Sequence, residues 1–329
     1  MKAVLLTDTH LGLYKASELY HQITLNLFKS VVDTCIRNDI DMIIHLGDWF
    51  HNRKHINLKT IDTAFQISDI IKDFNVHIIT GNHDTFYKHS INPTSLDIYN
   101  EYDNIHIIKE PTILDNITLL PWGNYSEEDF DKIDTDYLFS HLEINEFLMN
   151  THYRFNGGLS PALFKKFKKV LLGHFHTPSE RDNIQYIGTP FHMTFGDVGP
   201  RGYYIFDDGE LEFIEFTEAP KYVKLMSESE LIKSDIEGNI VRLTYEKDYG
   251  KTENNNLLEK VKALNPLQLY TDFSKAADVE VAENDNTEIE KPKESMELLI
   301  NYIDILKLDD HIKPDILRKI IMNLSEEIA

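Results

Sequence analysis

The chain has 329 residues, with 33 Lys and Arg against 55 Asp and Glu, a formal net charge of −22. That balance argues against a freestanding nucleic-acid binder, which carries a basic face, so a polyanionic substrate would need bound cations or a basic partner beside it. Apolar residues make up 42%, enough for a sizeable core, and the single cysteine excludes an internal disulfide framework.

The opening MKAVLLTDTH holds an apolar run too short for a signal peptide. No apolar run approaches the ~20 residues of a membrane span, and the expectation is a soluble protein of a reducing compartment. The first two hundred residues alternate short β-rich runs with helical patterns. Residues 3–6 read as a strand, 17–37 as a long amphipathic helix carrying Cys35 as a small core residue, and 42–46 as a strand. Residues 58–72 read as a helix with Ile61, Ala64, Phe65, Ser68 and Ile71 on one face. A strand follows at 76–80, then a short helix over 93–102 with Pro93 at its start. Further strands are expected at 105–108, 117–121, 137–140, 170–172, 184–187, 203–206 and 211–216. Continuous apolar strands of this kind belong to a sheet buried on both faces. The fold class is therefore α/β. A small α+β unit should follow, with β-like runs at 240–245 and 267–273 around a helix at 256–264.

Between residues 278 and 290 the chain carries Asp278, Glu280, Glu283, Asp285, Glu288 and Glu290 and no basic residue, the composition of a solvated tether. Two helical patterns close the chain. Met296, Leu299, Ile300, Ile303 and Leu306 form one apolar stripe; Ile316, Leu317, Ile320, Ile321 and Leu324 form the other, with Pro314 at the start. Thirty-odd residues cannot bury both stripes well on each other, so the pair must dock on the body or on another protein.

The apolar strands end on one small set of side chains. Thr7-Asp8-Thr9-His10 follows the first, Gly47-Asp48-Trp49-Phe50-His51 the second and Gly81-Asn82-His83-Asp84 the third; later ones end in Ser140-His141 and Gly173-His174-Phe175-His176. Sites in open α/β sheets form at the carboxyl edge of the strands, so these side chains should converge. Asp8 and His10, two apart, point the same way in an extended segment, and His174 and His176 repeat the device. Imidazole, carboxylate and amide ligands without thiolate suit divalent ions such as Mn²⁺, with Mg²⁺ as the other candidate. Two such ions about 3.5–4 Å apart can clamp a phosphoryl group for in-line displacement.

The series D-x-H, G-D-x-x-H, G-N-H-D, H and G-H-x-H resembles the calcineurin-type metallophosphoesterase signature, with all five blocks in order within the first 176 residues. Within that superfamily the chain is similar to the nuclease subunits of double-strand-break repair complexes, of the SbcD and meiotic-recombination type and their shorter phage counterparts. His51 three residues after Asp48, and Ile187-Gly188-Thr189-Pro190 followed by Phe195-Gly196-Asp197, carry this narrower likeness.

The resemblance implies a metallophosphoesterase β-sandwich flanked by helices in α/β/β/α layers over 1–217, a capping domain over 218–279, an acidic linker over 280–294 and a helix pair over 295–329. It implies that Asp8, His10, Asp48 and His176 hold one metal and that Asp48, Asn82, His141 and His174 hold the other. His83 would face the phosphate, His51 would be a second phosphate-side imidazole, and Asp84 would orient His83 from behind. It further implies a DNA exonuclease and endonuclease in the cytoplasm of a bacterial or phage-infected cell. That nuclease would be a homodimer pairing through 58–72 and 93–102, gripping an SMC-like ABC-type ATPase through 295–329.

Plainer roles stand beside these. A stand-alone nucleotide phosphodiesterase would share the metal set, and a scaffold at DNA ends would need only a weak site. For Asp84 and His51, purely structural hydrogen bonding is a rival. His45, His77 and His106 read as ordinary residues, the first two packed inside strands. The basic run Lys165-Lys166-Phe167-Lys168-Lys169 reads as a solvated helix face ahead of a phosphate contact. Phe191, Tyr203 and Tyr204 read as core ahead of base-stacking surfaces.

Overall fold

A computed structural model describes residues 1–87, 90–148, 154–245 and 251–273 of the chain. The acidic linker and the helix pair lie outside the described residues.

Two six-stranded sheets carry the first 215 residues. The first runs, from edge to edge, Glu210–Glu215, Gly202–Asp207, Lys2–Leu6, Met42–His45, Asn75–Ile79 and Ile105–Ile108. Its last four strands are parallel, and Gly202–Asp207 returns antiparallel against Lys2–Leu6. The second runs Ser179–Arg181, Ile184–Tyr186, Lys169–Leu172, Tyr137–Ser140, Ile117–Leu120 and Thr112–Leu114, and its four central strands are parallel.

Burial explains why these strands are apolar throughout. On Lys2–Leu6, Val4 and Leu6 pack with Leu27, Phe28 and Val31 of the helix Glu18–Arg37 and with Ile67 of the helix Leu58–Ile70. Ala3 and Leu5 face the other way, into a core shared with Leu119, Phe139 and Leu171 of the second sheet. The alternation repeats on the second sheet. Leu171 points inward, while Val170 and Leu172 pack outward with Phe130, Phe164 and Phe175. Sheet lies on sheet, with long helices over the first. The layer over the second is thinner than expected, a five-residue helix Glu127–Asp131 and a 3-10 turn Pro161–Phe164.

Cys35, Phe191 and Tyr203 are core residues. A third sheet, Tyr222–Leu225, Ile240–Tyr245 and Gln268–Phe273, is parallel throughout. It packs Leu225, Val241 and Leu243 against Leu257 and Val261 of the helix Lys251–Ala263.

Two expected helices are corrected. Residues 93–102 are not one helix opened by Pro93. Ser90–Thr94 is instead a strand paired with Thr85–Tyr87, and only Ser95–Tyr99 winds into a 3-10 turn. Its start is set by Thr94, whose hydroxyl accepts from Leu96 N while Asp97 accepts from Thr94 N, a reciprocal cap that outweighs the proline signal. The basic run is not a helix face either. Lys165 ends the 3-10 turn, Lys169 opens a strand, Lys166 Nζ donates to Phe130 O at 2.7 Å, and Lys168 pairs with Asp136 at 2.7 Å.

His45 shows how a buried imidazole couples the fold to pH. It is fully buried, with Nε2 3.1 Å from Thr9 Oγ1 and Nδ1 accepting from Gly47 N, and burial pushes its pKa down to about 3. The folded value lies below the unfolded one, so the unfolded chain binds the proton better, and stability present above pH ~6.5 is lost as pH falls. Between pH 7.5 and 5 this residue alone should cost about 2 kcal/mol. Guanidinium unfolding of the metal-free protein at the two pH values should show that loss shrinking by a similar amount in His45→Gln. An unchanged pH dependence would rule out His45 as its source.

Candidate metal centre

The four parallel strands of the first sheet and the four of the second end on a common edge, and every expected ligand sits just beyond one of those ends. Asp8 and His10 follow Lys2–Leu6, Asp48 follows Met42–His45, Asn82 follows Asn75–Ile79, His141 follows Tyr137–Ser140, and His174 and His176 follow Lys169–Leu172. The loops are held in unusual backbone. Asp8, His10, Asp48 and His174 all have positive φ, at 51°, 43°, 55° and 90°. Such conformations cost free energy and cluster where a site demands them. Gly81 is required for space: a Cβ there would lie 2.2 Å from both the backbone nitrogen and Oδ1 of Asp48.

Two groups of donor atoms meet. In the first, His10 Nε2 lies 3.0 Å from His176 Nε2 and 3.8 Å from Asp8 Oδ1. In the second, Asn82 Oδ1 lies 3.0 Å from His141 Nε2 and 2.9 Å from His174 Nδ1. Asp48 Oδ2 stands between them, 3.7 Å from His10 Nε2 and 3.3 Å from His141 Nε2. Asp8, His10, Asp48 and His141 are at most 3% exposed.

The donor set fits divalent cations. His141 Nδ1–H donates to Leu46 O at 2.8 Å, and His174 Nε2–H is directed at Glu143 Oε1, 3.0 Å away. The other nitrogen of each ring is thereby directed at Asn82 Oδ1, so once the imidazoles give up the protons on that side all three atoms can bind one cation. Asp8 Oδ2 accepts from Thr7 Oγ1 and His174 N, whereas its Oδ1 is buried with no hydrogen-bond partner, an orphaned atom of the kind that an ion would satisfy.

The electrostatics agree. Burial, then His83, holds His10 well below the usual imidazole range, leaving it neutral as a ligand must be. Burial would raise Asp48, but the imidazoles of His141, His83 and His10 outweigh it and hold the carboxyl well below its usual range. Against the lowering that burial imposes, Asp48 raises His141 to about 9, so in the metal-free chain that pair shares a proton.

A third group lies beside the first. His10, His51 and His83 bring ring nitrogens within 4.8 Å of one another. His51 and His83 stack at 5.9 Å with 20° between their planes. His83 Nδ1–H donates to His51 O at 2.7 Å, and its backbone N–H donates to Asp48 Oδ1 at 2.8 Å, which leaves Nε2 for other work.

The partner expected for Asp84 is corrected. Its carboxylate accepts from Phe50 N at 3.0 Å, Trp49 N at 3.3 Å and Gly81 N at 2.9 Å. It ties the loop after the second strand to the loop after the third, and the imidazole of His83 is oriented by His51 O instead. Burial, then the Asp48 charge, raises Asp84 to about 7. Two further residues escaped the sequence reading. Glu143 meets His174 as given above, and the Trp122 ring lies 5.3 Å from that of His174 at 31°. Arg201 also supports the edge, donating to His176 O and pairing with Asp197 at 3.2 Å.

Residues 1–225 match the description "Calcineurin-like phosphoesterase". The chain belongs to that family. Its members work with a dimetal centre, and the chain is accordingly a metal-dependent phosphoesterase. It is 32% identical over 325 residues to Exonuclease subunit 1 of Enterobacteria phage T4, covering 92% of this chain and 93% of that protein. A shorter match, 26% identical over 74 residues, joins it to the double-strand break repair protein MRE11 of Coprinopsis cinerea, covering 22% of this chain and 10% of the relative. Among solved structures, nuclease MPE of Pseudomonas putida superposes with a TM-score of 0.33 at 18% identity, over 64% of this chain and 87% of the other. A dimetal phosphatase from Danio rerio gives 0.35 at 13%, over 62% and 91%. Among the described residues no helix is long and apolar enough to cross a membrane.

Proposed function

We propose that the chain is a two-metal-dependent DNA nuclease, the cutting subunit of an end-processing complex built with an SMC-like ABC-type ATPase. The observation that carries the reading is the shared Asp48: one carboxylate stands 3.7 and 3.3 Å from imidazoles of two separate donor groups, as a bridging ligand between two ions requires. In this reading Asp8, His10, Asp48 and His176 hold one ion, and Asp48, Asn82, His141 and His174 the other. Mn²⁺ and Mg²⁺ both suit these ligands. Bound there, the two ions supply Lewis-acid polarisation and positive charge to a phosphodiester.

The protein's own residues do the rest. Nδ1 of His83 is committed to His51 O, so its Nε2 is the group to face a phosphate oxygen and to pass a proton to the departing alkoxide. His51, stacked beside it, lines the same side. Asp84 keeps the two loops that carry Asp48 and Asn82 in register. DNA as substrate is supported by the end-to-end likeness to the phage exonuclease subunit. The deciding assay offers linear duplex DNA, single-stranded DNA and mononucleotide phosphodiesters with Mn²⁺ or Mg²⁺. Turnover confined to the small esters would replace this reading with a stand-alone nucleotide phosphodiesterase.

A net charge of −22 repels a polyanion, and a partner with a basic surface would relieve that. The two apolar stripes within 295–329 are the segment to grip it. Deleting 291–329 is expected to leave basal Mn²⁺-dependent cleavage of short single strands intact. It should abolish co-purification with the ATPase and any ATP-stimulated degradation of duplex. Loss of basal cleavage on deletion would assign the stripes to the protein's own core. We further propose a homodimer through Leu58–Ile70, where Leu58 is 84% and Phe65 44% exposed. Light scattering at tens of micromolar should return twice the chain mass, and a monomer there refutes it.

A further inference from the structure

The strands end in ligands whose own supports are mostly backbone atoms: Leu46 O for His141 and the His174 N–H for Asp8. His174 differs. Its ring is flanked by Trp122 at 5.3 Å and Phe175 at 5.1 Å, and its outer nitrogen meets a carboxylate, Glu143 Oε1, at 3.0 Å. Its inner nitrogen, Nδ1, is the one that meets Asn82 Oδ1 at 2.9 Å. A neutral imidazole has one proton, and whichever nitrogen keeps it cannot bind a cation. Which nitrogen faces the pocket as an acceptor is therefore settled by what the other one touches.

Glu143 is itself firmly placed. Its carbonyl accepts from Leu159 N at 2.9 Å, and the buried Tyr186 hydroxyl ties the chain on both sides, accepting from Ile144 N at 2.9 Å and donating to Leu142 O at 2.8 Å. Gly158, at φ 69°, leaves room for this: a Cβ there would come 2.3 Å from Glu143 O. The side chain is a third exposed, unlike Asp8 and Asp48.

We propose that Glu143 is a positioning residue for metal loading, holding the His174 ring and its Nε2–H so that Nδ1 presents a lone pair to the ion shared with Asn82 and His141. The proposal rests on the reading of His174 as a ligand, deepens it, and is tested so that the two can fail separately. A carboxylate behind a ligating imidazole fixes its tautomer and raises its basicity, and losing one typically costs 10–100-fold in metal affinity.

The experiment is calorimetric titration of the metal-free, full-length protein with Mn²⁺, for wild type, Glu143→Ala, Glu143→Gln and His174→Ala, with thermal melting as a check on folding. In Glu143→Ala one of the two ions should bind roughly 10–100-fold more weakly while the other keeps its affinity. Glu143→Gln, which retains an acceptor oxygen, should recover most of the loss. His174→Ala should lose the same ion. If Glu143→Ala binds both ions as wild type does while His174→Ala loses one, Glu143 is idle and the proposal falls alone. If Glu143→Gln is as weak as Glu143→Ala, the carboxylate acts by its charge, and positioning is overturned. If His174→Ala keeps both ions at wild-type affinity, the ligand assignment falls and the proposal with it.

Discussion

Asp48→Ala is expected to bring phosphodiester hydrolysis to background and to strip both metal ions, because Asp48 Oδ2 stands between the two donor groups, 3.7 Å from His10 Nε2 and 3.3 Å from His141 Nε2. Truncation also removes the acceptor for His83 N–H, 2.8 Å from Oδ1, so the alanine variant alone would mix two effects. Asp48→Asn separates them. It keeps an oxygen for His83 N–H and tolerates the backbone at φ 55°, since Asn is among the residues that adopt positive φ most readily. It cannot supply the negative charge that two adjacent cations share. Elemental analysis of both purified variants is the measurement. Two ions retained at wild-type affinity in Asp48→Ala would refute the bridging role.

His83→Ala should behave in the opposite way. The expected result is full metal content and an intact fold, with turnover lower by roughly 10²–10⁴, the usual contribution of a general acid. The structural reason is that His83 Nδ1 is spent on His51 O. The closeness of His83 to His10, with ring centroids 4.9 Å apart, places it beside one donor group without making it a member of the pair that shares Asp48. The competing outcome is specific. His10, His51 and His83 are close enough together to hold an ion themselves, and loss of one equivalent of metal in His83→Ala would make His83 a ligand and put Asn82 in doubt. Comparing kcat with metal stoichiometry in one preparation separates the two.

Much of this edge was legible because strands buried on both faces have no use for charge. Where the run that ends in Ile78 and Ile79 gives way abruptly to Asn82, His83 and Asp84, the polar side chains mark the strand's end and its exit into a site. Two-residue spacing marked Asp8 with His10 and His174 with His176, but the extended backbone expected there is absent: Asp8, His10 and His174 have positive φ, and turns rather than strand alternation bring them together. The same two-residue spacing relates His141 to Glu143, so the signal for Glu143 was present in Ser140-His141-Leu142-Glu143. It went unread because nothing local says that His174, from another strand, turns its outer nitrogen there.

The misplacement of Asp84 has a different cause. Its partners are the backbone N–H groups of Trp49, Phe50 and Gly81, and backbone donors leave no trace in residue identity. At Gly81 a Cβ is excluded by Asp48, a contact between two distant stretches of chain that only packing reveals. The hairpin Thr85–Tyr87 with Ser90–Thr94 was missed because strands this short fall below the length at which alternation can be told from chance.

The strand Lys2–Leu6 is made first and lies in the middle of its sheet, with Met42–His45 on one side and Gly202–Asp207 on the other. A chain still emerging from the ribosome therefore carries Asp8 and His10 on a strand with one open edge until residue 207 has been added. His174 and His176, which lie in the two donor groups, also arrive late. A fragment that stops before residue 202 would keep that edge of Lys2–Leu6 unpaired, and one that stops before residue 174 would also lack His174 and His176, so such pieces should be prone to associate through the bare strand.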